Sequence, residues 1–475
     1  MQHDSTILRE RADGAGQGHV FAFWDRLDGA ERTRLLAQVA RLDFDLVERL
    51  GGLLRENASA HASALTPPKT FPLDRSPAEQ VRAEGAREVG ARRLADGEVG
   101  YVLVAGGQAS RLGYDGPKGC FSVGPVSGRS LFDMHARRLL AAQRRHGQDP
   151  VWYVMTSEAN DRTTREFFAA HGHFGLDPAN VFFFGQAMLP ALDDSGRILL
   201  SSTSELFLAP NGHGGVLDGL MRSGALADAH RRGIRTLSYF QVDNPLARPA
   251  DTLFLGLHTL ENASMSSKVV DKRSPGEKVG VLGYVDGKMG CIEYSDLSAE
   301  LREAKSSDGK LLFRAGNIAV HAIEREFIEE LTRGGLQLPY HLARKKLRAL
   351  DGRGEPCEQS GTKFETFVFD ALARSPRSVV LEVERAVEFS PVKNASGDDS
   401  PATACADLCR LFAGFADAAG LPLPAAGEDG CVRVEVDPVL AEDRAEFAAA
   451  MPLEPRVTAA GHLYSAAVVA PRARS

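Results

Sequence analysis

Hydrophobic positions follow two different spacings along the chain, and the change of spacing divides the sequence into parts. Residues 19–63 predict helices, because apolar side chains recur there every three or four positions, as at Leu35, Val39, Leu42 and Leu46. The proline-containing stretch 64–77, ALTPPKTFPLDRSP, predicts a linker. A further charged helix is expected from there to about Asp96, so that residues 1–96 form an N-terminal helical region.

From Gly97 onward the hydrophobic residues gather in short continuous runs. The runs YVLVA, VWYVMTS, VFFFGQ, TLSYFQVDN and MSSKVVD alternate with polar, helix-like stretches such as SLFDMHARRLLAAQRRHG. This alternation is typical of βαβ units around a mostly parallel sheet that helices cover on both faces. We therefore expect an α/β fold with a mixed, mostly parallel sheet, in a central domain of residues 97–395.

The last part of the chain combines one helical pattern with short strand patterns. The stretch ATACADLCRLFAGFADAAG has helical spacing, and the strand fragments after it are interrupted by proline and glycine. We expect residues 396–475 to form a small C-terminal α+β domain.

A long glycine-rich loop separates the first predicted strand, Tyr101–Ala105, from the helix predicted over Ser130–Gly147. Connections of about two dozen residues are usually functional or disordered in compact domains. Disorder is not expected here, because Leu112, Phe121 and Val123 can hold the loop against a core.

The composition of this loop suits a polyphosphate. Gly106 and Gly107 let the backbone approach a ligand closely and expose N–H donors. Arg111 offers a planar fork for phosphate oxygens, and Lys118 offers a compact positive charge. Neither the GxGxxG pattern nor the Walker A pattern fits. The loop is therefore a nucleotide loop of another class, or an ordinary βα connection.

One carboxylate lies where an α/β sheet binds ligands. Asp243 follows the apolar run SYFQV, at the expected C-terminal end of a strand. A carboxylate there could ligate Mg²⁺ that bridges phosphate oxygens. An aspartate that caps a helix or closes a turn explains the position equally well.

Composition excludes several classes of partner. The 475 residues carry a formal net charge of -7 and only 7% aromatic residues, which argues against a nucleic-acid partner. The sequence has neither an apolar run of transmembrane length nor an N-terminal secretory signal. We expect a cytoplasmic protein with no membrane partner, and the sequence leaves its oligomeric state open.

Longer motifs connect the glycine-rich loop with a known family. The pattern AGGQ-x-S-R-L-G-x3-PKG begins at Ala105, and further motifs follow it in order: GQAMLPALDDSGRI, LAPNGHGGV, QVDNPL, SSKVVDKRSPGEKVGV, IEYSDL, SSDGKLLFRAGNIAVH, GTKFETFVFD and EFSPVKNASG. Together they resemble the UDP-N-acetylhexosamine pyrophosphorylases of the type 1 UDP-glucose pyrophosphorylase family. The resemblance covers roughly residues 100–405.

This resemblance implies a Rossmann-like nucleotide-diphosphosugar transferase core and a role for each matching residue. Nucleotide contacts are implied for Val104, Ala105, Gly106, Gly107, Lys118, Gln186, Gly212, Asp243 and Lys363. Sugar contacts are implied for His213, Glu293, Tyr294, Asn317 and Lys393. The implied catalytic cations are Arg111, Lys118 and Lys393, and Asp243 is the implied ligand of Mg²⁺.

Local patterns around three of these residues predict their secondary structure. Lys363 is expected to begin an amphipathic helix, and Asn317 to end a strand. Lys393 is expected in an irregular polar loop.

The resemblance implies a uridylyltransferase that converts UTP and a sugar 1-phosphate, foremost N-acetylglucosamine 1-phosphate, into a UDP-sugar and pyrophosphate. A UDP-glucose or broad-specificity UDP-sugar pyrophosphorylase is the alternative, because His213 replaces the asparagine typical of the hexosamine enzymes. A non-catalytic nucleotide-sugar sensor is the alternative from another class. The retained Arg111, Lys118, Asp243 and Lys393 argue against it.

Overall fold

The structure is a computed structural model that describes residues 2–55, 64–294, 296–451 and 454–465. The chain divides into two compact units. The first unit contains residues 1–63, 186–218 and 336–370, and the second unit contains residues 64–185, 219–335 and 371–475. Division into the three domains 1–96, 97–395 and 396–475 remains a prediction.

The regular elements are numbered here in chain order. The α-helices are α1 (Gln2–Gly14), α2 (Gly29–Ala40), α3 (Phe44–Arg55), α4 (Pro77–Ala95), α5 (Leu131–His146), α6 (Asp161–Ala170), α7 (Gly215–Arg222), α8 (Ala225–Arg231), α9 (Thr252–Leu260), α10 (Ala299–Glu303), α11 (Arg325–Thr332), α12 (Arg385–Glu388), α13 (Pro401–Ala418) and α14 (Arg444–Ala449). The strands are β1 (Leu65–Thr66), β2 (Val99–Val104), β3 (Trp152–Thr156), β4 (Val181–Gly185), β5 (Met188–Pro190), β6 (Leu200–Ser202), β7 (Glu205–Leu206), β8 (Leu208–Pro210), β9 (Thr236–Gln241), β10 (Met265–Asp271), β11 (Val281–Val285), β12 (Lys288–Ile292), β13 (Ala315–Glu324), β14 (His341–Leu350), β15 (Pro356–Glu365), β16 (Val380–Glu382), β17 (Val434–Val436), β18 (Arg456–Thr458) and β19 (Gly461–Tyr464).

The second unit is built on a mixed ten-stranded sheet. Its main path runs β1-β11-β13-β9-β2-β3-β4, with β10 on β13, β16 on β10 and β12 on β11. Strands β9, β2, β3 and β4 are parallel neighbours, whereas β13 runs antiparallel to both β9 and β10. The α/β class is therefore confirmed, and so are the five strands that the continuous apolar runs predicted.

Helices α5 and α6 pack aromatic side chains against the parallel strands. The ring of Phe168 on α6 lies 4.9 Å from the ring of Phe132 on α5 and 5.5 Å from the ring of Trp152 on β3. It lies 4.9 Å from the ring of Phe183 on β4. All but the last of these four side chains are fully buried, and aromatic rings contribute large apolar areas to a core.

Helix α5 has defined ends, as its sequence predicts. Ser130 caps its N-terminus by accepting a hydrogen bond from the Asp133 N–H, and Gly147 ends it in the left-handed conformation.

The C-terminal elements bond to the segment that leads into α5. The buried carboxylate of Glu435 accepts hydrogen bonds from the backbone N–H groups of Val126 (2.9 Å) and Ser127 (2.8 Å). Asp437 binds the guanidinium of Arg137 through both carboxylate oxygens, at 2.9 and 2.6 Å. Buried carboxylates need such partners, so these bonds hold residues 434–437 to the core of the second unit.

The first unit has its own core. Buried residues of α2 and α3 share it with residues of the segment 192–206 and of β15: Leu35, Val39, Val47, Leu50, Leu192, Ile198, Leu200, Leu206 and Phe364. The helical prediction for residues 19–63 is confirmed by α2 and α3, and residues 56–63 lie outside the described part.

The prediction that Lys363 begins a helix is wrong. Lys363 lies in β15, which pairs with β14 along its whole length from His341↔Glu365 to Leu350↔Pro356. The apolar spacing of Phe364, Phe367 and Val368 suggested a helix, but ten ladder pairs with a distant segment outweigh a local pattern of that length.

Across the part of the chain that the structure describes, none of the helices combines the length and apolar composition that crossing a membrane requires.

Close helix packing in the second unit predicts opposite effects for two glycines of α4. A methyl group at Gly90 would lie 1.9 Å from the carbonyl oxygen of Thr252 on α9, whereas nothing lies within 4 Å at Gly85. We expect Gly90→Ala to lower the free energy of unfolding by about 1–3 kcal/mol, because backbone must move to admit the methyl. Gly85→Ala should raise it by about 0.5–1 kcal/mol, since alanine favours the helix.

Urea unfolding of the two variants measures this difference in the free energy of unfolding. As a control, the dependence of that free energy on urea concentration should be the same in both variants. Equal midpoints for the two variants would contradict the packing of α4 on α9.

Candidate active site

The glycine-rich loop of the second unit is ordered by hydrogen bonds at its start and across its first half. Beyond β2, the Ala105 carbonyl accepts a hydrogen bond of 2.9 Å from the side-chain amide of Asn160. The backbone N–H of Lys118 donates to the Gly107 carbonyl at 3.0 Å, and that of Ala109 donates to the Gly116 carbonyl at 3.0 Å. Asn160 is buried and was missed by sequence reasoning, since an asparagine in a polar stretch carries no signal of its own.

Apolar side chains pin the same loop, as expected. Val123 is buried in the core of the second unit, and Leu112 and Phe121 pack against that core. The loop therefore holds its basic residues on a fixed backbone.

Both basic residues of the loop are available to a ligand. Arg111 lies exposed in a short 3₁₀ turn, Ser110–Leu112, and Lys118 begins a second turn, Lys118–Cys120. Within the described ranges neither side chain has a hydrogen bond or an ion pair. Two unpaired cations beside glycine-rich backbone form a surface that attracts phosphate oxygens.

Asp243 lies at the same sheet edge as this loop. It follows β9 by two residues, and β9 is the parallel neighbour of β2. The backbone N–H of Val242 donates to the Val104 carbonyl at 3.1 Å. The expected position of Asp243 at a strand's C-terminal end is confirmed.

The loop of Lys393 bonds to the Asp243 turn. The N–H of Val392 donates to the backbone carbonyl of Asp243 at 2.8 Å. The Nζ of Lys393 lies 3.8 Å from a carboxylate oxygen of Asp399 and 5.7 Å from the centre of the Phe389 ring. Lys393 is in an irregular loop, as expected, and its side chain is 45% exposed, so a ligand can reach its charge.

Asn244 holds these two segments together. Its side-chain nitrogen donates to the Glu388 carbonyl at 2.7 Å, and its side-chain oxygen accepts from the Ser390 N–H at 3.1 Å. Asn244 is buried and uses donor and acceptor at once. Its place directly after Asp243 was the only signal for it in the sequence.

The donor set around Asp243 suits a cation whose other ligands come from a substrate. The carboxylate is half-buried and has no hydrogen bond or ion pair within the described residues. Those residues also contain no group of three or more His, Cys, Asp or Glu side chains that could hold a metal by themselves. Mg²⁺ commonly takes one or two protein carboxylates and completes its shell with phosphate oxygens and water. Asp243 fits that pattern.

Asn317 and Glu293 approach a common point beside Cys291. The Asn317 N–H donates to the Gly280 carbonyl at 2.9 Å, and its side-chain nitrogen lies 4.0 Å from the Cys291 sulfur. A Cβ at Gly280 would lie 2.7 Å from that sulfur and 3.5 Å from a carboxylate oxygen of Glu293. Tyr294 follows Glu293 and is exposed. Cys291 and Gly280 were missed, because only strand pairing brings them here.

The prediction that Asn317 ends a strand is wrong. It is the third residue of β13, where it pairs with Val269 of β10 beside a bulge in β13: two residues along β10, from Ser267 to Val269, match four along β13, from His321 to Asn317. Its side-chain oxygen accepts a hydrogen bond from the N–H of Ala319 at 3.0 Å, and Ala319 has a positive φ of 55°. The irregular pairing twists the strand at this point, so a polar side chain stands in mid-strand.

In the first unit the structure brings Gln186 and Gly212 together. The side-chain nitrogen of Gln186 donates to the Gly212 carbonyl at 2.8 Å. Gly212 has a φ of 77°, and a Cβ there would lie 2.4 Å from the carbonyl oxygen of Thr366. Only glycine fits this position. Gln186 keeps its side-chain oxygen as an acceptor.

His213 packs in an aromatic cluster of the first unit. Its ring stacks on Phe367 with centroids 5.2 Å apart and planes at 26°, and the N–H of Val368 donates to its Nδ1 at 3.2 Å. Burial, and then the charge of His341, lower the pKa of His213 to about 4. The imidazole is therefore neutral near pH 7, with its proton on Nε2 because Nδ1 accepts a hydrogen bond.

Lys363 is half-buried in β15 of this unit, with its Nζ 5.4 Å from the centre of the Phe207 ring.

Comparison with known proteins identifies the family. Residues 78–409 match the family model described as UTP–glucose-1-phosphate uridylyltransferase. The chain is 38% identical to the human UDP-N-acetylhexosamine pyrophosphorylase-like protein 1, over 88% of each chain. It is 35% identical to UDP-N-acetylglucosamine diphosphorylase 2 of Arabidopsis thaliana, over 91% of this chain and 89% of the relative.

Solved structures agree with the sequence comparison. The uridine diphosphate N-acetylglucosamine pyrophosphorylase of Trypanosoma brucei superposes with a TM-score of 0.80 at 27% identity, over 94% of this chain and 95% of that chain. The UDP-glucose pyrophosphorylase of Leishmania major shares the fold, with a TM-score of 0.60 at 16% identity over 89% and 87% of the two chains. The matched residues contain the loop, the Asp243 turn and the Lys393 loop described above. The chain therefore belongs to the UTP–glucose-1-phosphate uridylyltransferase family and is a uridylyltransferase.

Proposed function

We propose that this protein forms UDP-N-acetylglucosamine and pyrophosphate from UTP and N-acetylglucosamine 1-phosphate. Its similarity to relatives named for N-acetylhexosamine or N-acetylglucosamine, at 33–38% identity over most of both chains, carries the proposal. The unpaired Arg111 and Lys118 at the sheet edge support the chemistry, because both substrates are phosphate anions.

The loop of the second unit supplies the site for the triphosphate. Gly106 and Gly107 leave room for phosphate oxygens beside the backbone. Arg111 and Lys118 neutralise the β- and γ-phosphates, whose negative charge grows as they leave. The Lys118 backbone is fixed by its hydrogen bond to Gly107, so this charge needs little reorganisation during the reaction.

The reaction needs alignment rather than a general base. A phosphate oxygen of the sugar 1-phosphate attacks the α-phosphorus of UTP in line, and the bond from that phosphorus to the bridging oxygen of pyrophosphate breaks. The attacking oxygen is already an anion, so no proton has to be removed. Lys393 attracts the sugar phosphate toward the Asp243 turn and offsets the repulsion between the two anions.

Asp243 is the residue of this chain that would hold Mg²⁺. When bound, the cation supplies Lewis-acid neutralisation of phosphoryl oxygens. Asn244 keeps the Asp243 turn and the Lys393 loop in register through its bonds to Glu388 and Ser390.

The remaining assignments stay proposals taken from the family. Glu293, Tyr294 and Asn317 would bind sugar hydroxyls. Glu293 and Asn317 lie beside Cys291. In the first unit, Gln186, Gly212 and Lys363 would contact the nucleotide. His213 would contact the sugar. A cytoplasmic location remains a prediction.

A sugar panel tests the proposed specificity. Pyrophosphate release is measured with UTP, Mg²⁺ and the 1-phosphates of N-acetylglucosamine, N-acetylgalactosamine, glucose and galactose. We expect the highest kcat/KM for N-acetylglucosamine 1-phosphate. A preference for glucose 1-phosphate would establish the alternative enzyme, and UTP binding without turnover of any sugar would establish a sensor.

Substitutions of Lys393 and Arg111 should have different effects on the kinetic constants. Lys393→Ala should raise KM for the sugar 1-phosphate and lower kcat, with UTP affinity nearly unchanged. Arg111→Ala should lower kcat about 10²–10³-fold, as loss of a preorganised charge does in other enzymes. Steady-state kinetics and UTP titration calorimetry measure both. A larger loss of UTP affinity than of sugar turnover in Lys393→Ala would contradict its assignment.

His213 should remain neutral throughout the physiological pH range. We expect its imidazole to titrate at about 4, below the ordinary 6.5, because burial disfavours the charged ring. ¹³C-histidine NMR measures this midpoint, and the resonance lost in His213→Asn assigns it.

The shifted pKa also affects stability. The unfolded chain takes up a proton at His213 first as pH falls from about 6.5 toward 4, so folding stability falls in that window. His213→Asn should show a shallower fall. A His213 midpoint near 6.5 would be inconsistent with the burial described here.

A further inference from the structure

The second unit contains a large cavity that no candidate site residue lines. Its volume is about 890 Å³, within the range that small organic ligands occupy in proteins. Its walls come from the segment before α4, from α4 itself, the ends of α5 and α9, α12, α13 and the start of α14. The proposed reaction leaves this cavity without a role.

Most acidic side chains on the wall already have partners. Glu388 and Asp251 both bind the buried Nζ of Lys268, at 2.6 and 2.7 Å. Five further carboxylates of the wall are engaged: Glu442 pairs with Arg138 and Arg145, Asp407 binds Ser390 and Arg410, Glu446 pairs with Arg145, Glu382 binds Thr70 and Arg314, and Asp443 accepts a hydrogen bond from the Glu446 N–H. These oxygens are therefore not available to neutralise further cations by direct contact.

Four arginines on the same wall have no ion pair within the described residues: Arg75, Arg87, Arg248 and Arg444, of which Arg444 is exposed at the start of α14. Within the described residues, the guanidinium groups of Arg75, Arg87 and Arg248 have no hydrogen bond or ion pair, and the Nε of Arg75 is buried without an acceptor. Burial, and then the nearby charge of Arg87, lower the pKa of Arg75. An anion bound beside Arg75 and Arg87 would offset this unfavourable charge.

Arg248 remains fully charged. Burial by itself would lower its pKa, but the surrounding carboxylates, first Glu442 and then Glu388, hold that pKa above its usual value. Both carboxylates are bound to other cations, so the N–H donors of Arg248 are still free to bind an oxyanion.

Part of the wall is apolar. Leu73, Leu253, Val387, Leu411 and Phe415 line the cavity together with the arginines. A cavity with cationic donors and an apolar wall matches a molecule that carries an anionic group on a carbon body.

We propose that this cavity binds a small organic phosphate monoester, with its phosphate at Arg75, Arg87 and Arg248 and its carbon body along Leu253, Leu411 and Phe415. A phosphate group offers three oxygens and nearly two negative charges, which three guanidinium forks match better than a carboxylate does.

A ligand there would contact a helix that is connected to the candidate active site. Glu388 ends α12 on the cavity wall, and its backbone carbonyl accepts the hydrogen bond from Asn244, next to Asp243. The cavity is thus one hydrogen bond away from the turn that carries the proposed metal ligand.

Titration calorimetry of the full-length protein tests the proposal with phenyl phosphate and glucose 6-phosphate as probes. Binding at the candidate active site is suppressed by the background substitutions Arg111→Ala, Lys118→Ala and Lys393→Ala, which remove the cations proposed for both substrates. We expect at least one probe to bind this background protein with a Kd below about 1 mM. Arg75→Gln and Arg87→Gln should each weaken that binding about tenfold, the loss expected for one charge-assisted contact.

The matched control is Arg410→Gln, which lies on the same wall but is paired with Asp407, and it should leave binding unchanged. Because Arg87 is exposed, Arg87→Gln keeps the test valid even if Arg75→Gln folds poorly. Absence of binding for both probes, or equal affinity in Arg87→Gln, would overturn the proposal. If benzoate bound as tightly as the probes, the assignment of a phosphate group would be overturned. If inorganic phosphate bound as tightly, the assignment of an organic ligand would be overturned.

Discussion

Parallel pairing of β9 with β2 is the constraint on which the proposed chemistry depends. Because both strands run in one direction, their C-terminal ends meet at one edge, and the Val242 N–H bonds directly to the Val104 carbonyl. The basic loop leaves that edge from β2, and Asp243 leaves it from β9. Charges that are distant in sequence thereby share one surface, as carboxyl ends of parallel strands do in ligand-binding α/β proteins.

Buried amide side chains make this edge rigid. Asn160 closes the end of β2, and Asn244 joins the Asp243 turn to Glu388 and Ser390. Each amide satisfies backbone groups that burial would otherwise leave unpaired. The same bonds bring the Lys393 loop to the Asp243 turn.

Charge pairing distinguishes the two anion-attracting regions of the second unit from its structural network. Lys268 is fully buried and satisfied by Asp251 and Glu388, which is how a folded chain tolerates buried charge. Within the described residues, Arg111 and Lys118 in the loop have no hydrogen bond or ion pair, and neither do the guanidinium groups of Arg75, Arg87 and Arg248 on the cavity wall. An anionic ligand at these positions would supply the hydrogen-bond acceptors and the negative charge that the protein itself does not provide.

The sequence alone determined the elements with strong local signals: the continuous apolar strands, the capped helix α5, the ordered glycine-rich loop and the family motifs in their order. Tertiary structure decided what depends on distant pairing. Lys363 is in a strand because β14 pairs with β15. Asn317 lies within a strand because β13 continues, through a bulge, in its pairing with β10. The cavity arginines come from segments more than 150 residues apart. Local periodicity records which face of an element is buried, but only long-range contacts determine what that face meets.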